Sequence, residues 1–315
     1  MIRAAALLLA WFAFLIGAIA MAARYVPVVN HAVLFVSAFA PYLAIGGSAV
    51  SALLLLMIRR PGLAAIPIAL AVAAVAVQLP LFTGSTSGST AKLRVFTVNA
   101  KEGAAEPDTL AVAAREQTDL LAVQELTAEL AGEVSERLGD AFPFRALSPG
   151  KGADGTGIWS RYPIVSSQRI PGYRLGAVST TVRVPGAASD AVVVCLHVVG
   201  PWPHPIDGWR QEMAGLPQTL QQTARAAGPG ATIVVGDFNA TRDMAPFRNL
   251  LSGGYRDAAE QSGSGLTPTF PAQAGMPPML GIDHILTSNS SASEVRTVRI
   301  PGTDHLGLTA TVHLG

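Results

Sequence analysis

Residues 234–241 read VVGDFNAT. A β-branched run meets a glycine and ends on Asp237, Phe238 and Asn239. An acid and an amide two residues apart at the end of an apolar strand have a plain reading. They form an Asx turn, the Asp side chain accepting from a backbone N–H two residues on. They also have a chemical reading, in which both face one ligand. What the rest of the chain places beside them decides whether the second reading applies.

Working outward, the same pattern recurs. Leu93–Asn99 alternates like a strand and ends on Asn99. Asp119–Glu125 is nearly all apolar, as expected of a strand buried on both faces, and ends on Glu125. Ala191–His197 ends on His197. Further strands are expected at Gly157–Ser160, Val178–Val184, Thr232–Gly236, Gly281–Thr287, Glu294–Ile300 and Leu306–His313. Helices are expected at Pro107–Gln117, Thr127–Leu138, Ile206–Ala226 and Met244–Leu251. Strands outnumber helices and many are joined by short turns. That order fits two packed sheets with helices outside. Asp283 and His284 sit in GIDHIL, and Asp304 and His305 in GTDHLGL. Such strand-end polar residues are those a sandwich collects at one mouth.

Each has a bland alternative. Asn99 fits a turn, and Glu125 could cap the following helix. His284 reads as structural, Asp243 as a helix N-terminal residue, Glu102 as solvated, and His204 and His313 as surface or loop residues. Ser160 in GIWS lies in a buried strand with no base beside it in the motif, so it is read as structural. These readings leave the order and company of the set unexplained.

The first 90 residues are different in kind. They hold no Asp or Glu and four basic residues, Arg3, Arg24, Arg59 and Arg60. Of the 22 Lys and Arg, 18 therefore remain to face all 21 acids, a balance of −3 beyond residue 90. A nucleic-acid binder usually carries a basic face, and this balance does not supply one. The single cysteine, Cys195, excludes a disulfide framework and a cysteine-based zinc site. Ala4–Ala23, Ala32–Ile58 and Leu63–Phe82 are apolar runs that predict three membrane spans. Arg59 and Arg60, in the RRPG turn, place that turn in the cytoplasm. Arg24 dissents. Three crossings put the domain from Lys92 onward outside the cytoplasm, behind a Gly/Ser/Thr linker at 83–91. The expected boundaries are 1–82 for the anchor and 92–315 for the domain.

VFTVNAKEG, LLAVQEL, GTGIWSRYPI, VCLHV, VVGDFNAT, GIDHIL and GTDHLGL, taken in order across 92–315, resemble the endonuclease/exonuclease/phosphatase superfamily. That group includes deoxyribonuclease I, base-excision endonucleases, sphingomyelinases and inositol-phosphate phosphatases. The resemblance implies an α/β fold, a four-layer α/β/β/α sandwich. The apolar runs, with LHVVGPWP and DFNATRDMAPFRNLL, are similar to a membrane-anchored actinobacterial branch that includes teicoplanin-resistance proteins.

The resemblance also implies roles. Glu125 matches a metal-binding carboxylate, with Asn99 close by and Asp304 as a second acidic position near the metal. Mg²⁺ or Mn²⁺ suits such oxygen donors. Asp237 and Asn239 match a pair that acts on the attacking water or leaving oxygen and on a phosphoryl oxygen. His305 matches the catalytic histidine, and Asp283 the carboxylate that holds it. His197 matches a phosphate-binding histidine. Protonated histidines and a metal would neutralise charge developing on the phosphoryl oxygens. Lys101 stands where base-excision endonucleases carry an acid, and His197 where they favour tyrosine. Both count against that activity. The implied function is a metal-dependent phosphoester hydrolase outside the cytoplasm, with a lipid head group or lipid-linked phosphate as substrate and the bilayer as partner. An extracytoplasmic nuclease is the alternative, and a non-catalytic sensor or scaffold a second. In VVGPWPHPIDGW, Trp202 and Trp209 suggest an aromatic lip at the mouth; a packed surface loop is the bland reading.

Overall fold

The apolar N-terminal runs form four helices, α1 (Ile2–Ala23), α2 (His31–Ala38), α3 (Ala40–Met57) and α4 (Pro61–Ala76), in a computed structural model that describes residues 2–84, 88–273 and 275–315. Among the described residues, only α1 and α3 are both long and apolar enough to cross a bilayer. The expected second span breaks at Phe39. Pro41, at the start of α3, has no N–H to continue the α2 ladder. The expected third span shortens to the 16 residues of α4. At 1.5 Å per residue that is about 24 Å, against roughly 30 Å of hydrocarbon. A short 3₁₀ turn, Leu79–Phe82, follows.

The chain divides into two compact units. The first is Met1–Pro80 with Thr241–Arg248. Within it α3 packs between α1 and α4. Gly17 and Gly47 let α1 and α3 approach closely, since a Cβ on Gly47 would lie 2.7 Å from the Ala13 carbonyl. Asp243 is buried there and pairs with Arg24. Its Oδ1 also accepts from Gln78 Nε2 at 2.9 Å. The Arg248 guanidinium lies 5.5 Å over the Tyr25 ring and donates to the Asp243 carbonyl at 2.6 Å.

The second unit is Leu81–Ala240 with Asn249–Gly315. Of the expected 83–91 linker, residues 85–87 lie outside the described residues. The elements in order are β1 (Ala91–Asn99), α5 (Pro107–Gln117), β2 (Leu120–Gln124), α6 (Ala128–Leu138), β3 (Phe144–Pro149), β4 (Gly155–Ser160), β5 (Ile164–Arg169), β6 (Ala177–Val182), β7 (Ala191–His197), α7 (Asp207–Ala227), β8 (Thr232–Asp237), α8 (Ala245–Leu251, begun in the first unit), β9 (Arg256–Asp257), α9 (Ala258–Ser262), β10 (Asp283–Ser288), β11 (Ser290–Arg299) and β12 (Leu306–Leu314). They make two six-stranded sheets, ordered β11-β12-β1-β2-β4-β3 and β5-β6-β7-β8-β10-β9.

Side-chain alternation builds the layers. Leu93, Val95, Leu120, Ala122 and Ile158 point inward, against Val193, Cys195, Ile233, Val235 and Ile285 of the facing sheet. Their neighbours Phe96, Val98, Leu121, Val123 and Trp159 point outward, against Leu110, Ala114, Leu130, Val134 and Leu138 of α5 and α6. On the other side α7 packs on β7 and β8. Each fully buried Leu, Val or Ile contributes about 1.5–3 kcal/mol. The result is the expected α/β sandwich.

Several residues serve this frame. Ser160 is buried, and its Oγ accepts from the Tyr162 amide at 3.0 Å. His313 is not a loop residue. It lies buried in β12 with Nε2 2.7 Å from Ser293 Oγ. Trp209 is fully buried on α7 and forms no part of a lip. His284 clamps β10 to its surroundings. Its Nδ1 lies 2.8 Å from Asp257 Oδ2 and its Nε2 2.9 Å from the Ala240 carbonyl. Burial works to lower its pKa, but the hydrogen bond and charge of Asp257 outweigh it and hold the value above the ordinary histidine range. A raised histidine pKa stabilises the fold fully below the unfolded value of about 6.5. That stabilisation is lost as pH rises through the higher folded value. Denaturant titrations across this window should therefore show wild-type stability falling on the alkaline side. His284→Leu should cost roughly 3–5 kcal/mol at acidic pH, because it leaves Asp257 unpaired. It should also remove this pH dependence. An unchanged slope in the variant would mean that another group titrates.

Candidate active site

Strand register brings the polar residues together. β7 and β8 are parallel, with His197 opposite Asp237. β8 and β10 are antiparallel, with Asp237 opposite Asp283. His197, Asp237 and Asp283 therefore stand in one row across three neighbouring strands. In the other sheet β1 and β2 are parallel, with Asn99 opposite Gln124, so Glu125 follows at the same end. Thr303 holds the loop before β12 against that end. Its Oγ1 donates to the Asn99 carbonyl at 2.7 Å and accepts from the His305 amide at 3.1 Å.

A cavity of about 660 Å³ opens where the strand ends converge. Seven of the eight expected residues line it: Asn99, Glu125, His197, Asp237, Asn239, Asp304 and His305. The eighth, Asp283, lies behind His305 with Oδ2 2.8 Å from Nδ1. Lys101, Glu102, Arg174, Trp202, His204 and Phe270 also line it. His204 and Arg174 were not legible as site residues, since neither belongs to a strand-end pattern. Trp202 is 59% exposed at the wall.

Both readings of VVGDFNAT hold at once. Asp237 Oδ1 accepts from the Asn239 amide at 2.7 Å, an Asx turn. Phe238 between them is fully buried. Asp237 Oδ2 accepts from Asn99 Nδ2 at 3.1 Å and lies 3.5 Å from His197 Nε2 and 3.8 Å from His305 Nε2. Asn239 Nδ2 donates to the Val198 carbonyl at 2.9 Å.

The electrostatics separate the two histidines. Burial, with the charge of His305 beside it, pushes His197 down to about 3. Burial also works to lower His305, but the charge and hydrogen bond of Asp283 carry it up to about 9. The two rings therefore shift in opposite directions, His305 toward the charged form and His197 toward the neutral one. Burial and the charge of Asp283 push Asp237 up to about 7. Burial also raises Glu125, against the hydrogen bonds from Asn99 at 2.9 Å and from the Glu102 amide at 2.7 Å. Asp304 adds a like charge to Glu125. Glu125 holds a positive φ of 54°, a strained backbone for a residue with a side chain.

Oxygen-rich donors of this kind fit a hard divalent cation. Glu125 and Asp304 are two carboxylates whose mutual repulsion a cation would relieve. Asp237, Asp283 and His305 bring ligand atoms within 4.8 Å of one another and form a second group that could hold one. There, however, one Asp283 oxygen and His305 Nδ1 already share a hydrogen bond. Asn99 turns its amide nitrogen to Glu125 and Asp237, while its oxygen accepts from the Lys101 amide at 2.9 Å.

Residues 96–305 match the Endonuclease/Exonuclease/phosphatase family. The chain belongs to that family. Solved structures similar to it share the fold at low identity. Humanized D. rerio TDP2 is 18% identical, with a TM-score of 0.57 over 70% of this chain and 98% of that one. The 3'-5' exonuclease NExo of Neisseria meningitidis is 19% identical, with 0.57 over 69% and 98%. The mannosyl-6-phosphatase Bt3783 of Bacteroides thetaiotaomicron VPI-5482 is 15% identical, with 0.55 over 71% and 99%. No curated protein matches the chain. Members of the family hydrolyse phosphoesters.

Gly236 makes the cluster possible. It holds φ at 138°, and a Cβ there would lie 2.0 Å from the Leu196 carbonyl oxygen. Gly236→Ala should therefore lower stability by roughly 3 kcal/mol and displace Asp237. A variant that unfolds at the wild-type denaturant concentration would show that β7 and β8 can part at no cost.

Proposed function

We propose that the chain is a divalent-metal-dependent phosphoester hydrolase, tethered to a membrane and acting outside the cytoplasm. One observation carries the chemical part. A single cavity gathers two carboxylates suited to a cation, an Asp–His pair and the Asp237–Asn239 turn. In this reading Glu125 and Asp304 hold Mg²⁺ or Mn²⁺, which when bound neutralises charge on the phosphoryl oxygens. Asn99 orients Glu125 and Asp237. Asp283 fixes the ring of His305, so that Nε2 faces the reacting phosphate as an acid. Asp237, raised toward neutrality, takes or returns a proton at the attacking water or leaving oxygen. Neutral His197 and the Asn239 amide face the phosphoryl oxygens.

The membrane part rests on two long apolar helices, a third apolar helix and the Arg59–Arg60 turn between α3 and α4. With α4 taken as a third crossing, despite its shorter length, the positive-inside bias makes that turn cytoplasmic and the domain external. The preferred substrate is a lipid head group or lipid-linked phosphate, because a tethered site works at the bilayer surface. The resemblance of the apolar runs, LHVVGPWP and DFNATRDMAPFRNLL to the actinobacterial branch with teicoplanin-resistance proteins supports this reading. A nuclease is the second reading, favoured by the exonuclease among similar structures.

Incubation of the full chain with Mg²⁺ and either phospholipid vesicles or DNA, counting released phosphate groups, separates the two substrates. Release from lipid is expected. Release from DNA alone would establish the nuclease reading. Glu125→Gln should lower activity on the order of 100-fold and raise the metal concentration required. Full activity in excess chelator would exclude metal dependence. Asp283→Ala and His305→Ala should each cost roughly 10²–10⁴-fold. The double variant should lose little more, as residues acting through one imidazole are non-additive. Additive losses would detach Asp283 from His305.

A further inference from the structure

The catalytic cavity continues sideways. Arg174 and Val199 line it and also line a second cavity of about 460 Å³, walled by Gly172, Gly208 and Gln211. One buried carboxylate fixes both junction residues. Glu212 on α7 accepts from the Arg174 amide through Oε1 and from the Val199 amide through Oε2, each at 2.9 Å. Those two bonds fix the carboxylate, which also lines the second cavity. Of the two basic side chains at the wall, Lys101 lies 3.8 Å from Asp304. Arg174 is exposed, and among the described residues no carboxylate pairs with its guanidinium. With its backbone fixed at the join of two cavities, Arg174 carries a planar guanidinium of a kind that suits a phosphate or carboxylate.

We infer that Arg174 determines specificity by binding a second anionic group of the substrate, beyond the scissile phosphate, and that Glu212 is its positioning residue. The inference rests on the phosphoester reading above and narrows the substrate to a bis-anionic one. It commits to a small head group. A polyanionic strand would need several cations along its track, and among the described residues the cavity wall offers one guanidinium without a carboxylate partner, in a domain with a balance of −3.

The test uses the full-length chain with saturating Mg²⁺. Calorimetry compares propyl phosphate with propane-1,3-diyl bisphosphate, and so needs no turnover. Hydrolysis compares p-nitrophenyl propyl phosphate with the ester that carries a second phosphate on the propyl end. Wild type should bind the bisphosphate at least ~10-fold more tightly and favour the second ester by a similar factor. Arg174→Ala should abolish both preferences while leaving propyl phosphate binding within about 2-fold, and Arg174→Lys should keep part of them. Glu212→Gln should raise KM for the bis-anionic ester, with kcat unchanged. Equal binding of the two ligands by wild type would overturn the inference. So would an Arg174→Ala variant that weakens both alike. Tighter binding of a 5'-phosphorylated dinucleotide than of the bisphosphate would overturn the head-group assignment. A binding preference without hydrolysis would instead overturn the reaction while sustaining Arg174.

Discussion

Asp237 is a carboxylate with 1% exposure at the meeting of two sheets, and the site depends on keeping it there. A buried carboxylate is costly unless hydrogen bonds and nearby charge hold it. Both sheets contribute. Asn99 reaches it from β1, and the Asn239 amide folds back from its own turn. His197 and His305 stand within 3.8 Å of one oxygen. The parallel pairing of β7 with β8, and the antiparallel pairing of β8 with β10, fix the row His197, Asp237, Asp283. A slip of one residue in either pair would turn part of that row onto the opposite face of its sheet. The same register that closes the hydrophobic core thus aligns the charges.

Much of this was legible in the chain because a buried strand and a polar strand end differ sharply. β7 was readable over its full length, and β1, β2, β8 and β12 to within two residues at either end. The strands that were missed sit on the edges. β3 and β5 are the outer strands of their sheets, and β5 is exposed over most of its length. With no second sheet neighbour, Ile164–Arg169 needs no apolar face, so IVSSQR carries no alternation to read. Trp209 was misread for a related reason. Its loop neighbours are prolines and glycines, but it stands on the buried face of α7, where helical period rather than local composition decides. Arg174 and His204 gave no signal because they approach the site from loops, and loop approach is set by the fold.

Residue type was also an incomplete guide to charge. His197 and His305 share a cavity and a residue type, yet their pKa values move in opposite directions. The difference is the partner. Asp283 Oδ2 sits 2.8 Å from His305 Nδ1, whereas His197 has no carboxylate nearer than 3.5 Å. Burial then dominates at His197, and protonating two adjacent rings would add repulsion. Under the proposed hydrolase reading, the neutral ring would donate to a phosphoryl oxygen and the charged one would give up a proton.

Arg24 dissented from the charge bias that would place Arg59 and Arg60 in the cytoplasm. A basic residue biases topology through its charge, and within the first unit Arg24 pairs with buried Asp243. Gln78, just past α4, bonds the same carboxylate. The ends of α1 and α4 therefore meet at one acid, while the Arg59–Arg60 turn closes the α3–α4 pair by joining the end of one helix to the start of the next. Helices α1 and α4 run toward that acid, and α3 runs back between them. In an arrangement of this kind the two ends differ in chemistry. One carries two adjacent arginines with no acid in the helices that flank them. The other carries an arginine already matched by a carboxylate. That end also gathers Arg242 and Arg248 beside Arg24, so one acid does not cancel its charge, and Arg24 still weighs against the orientation that Arg59 and Arg60 favour.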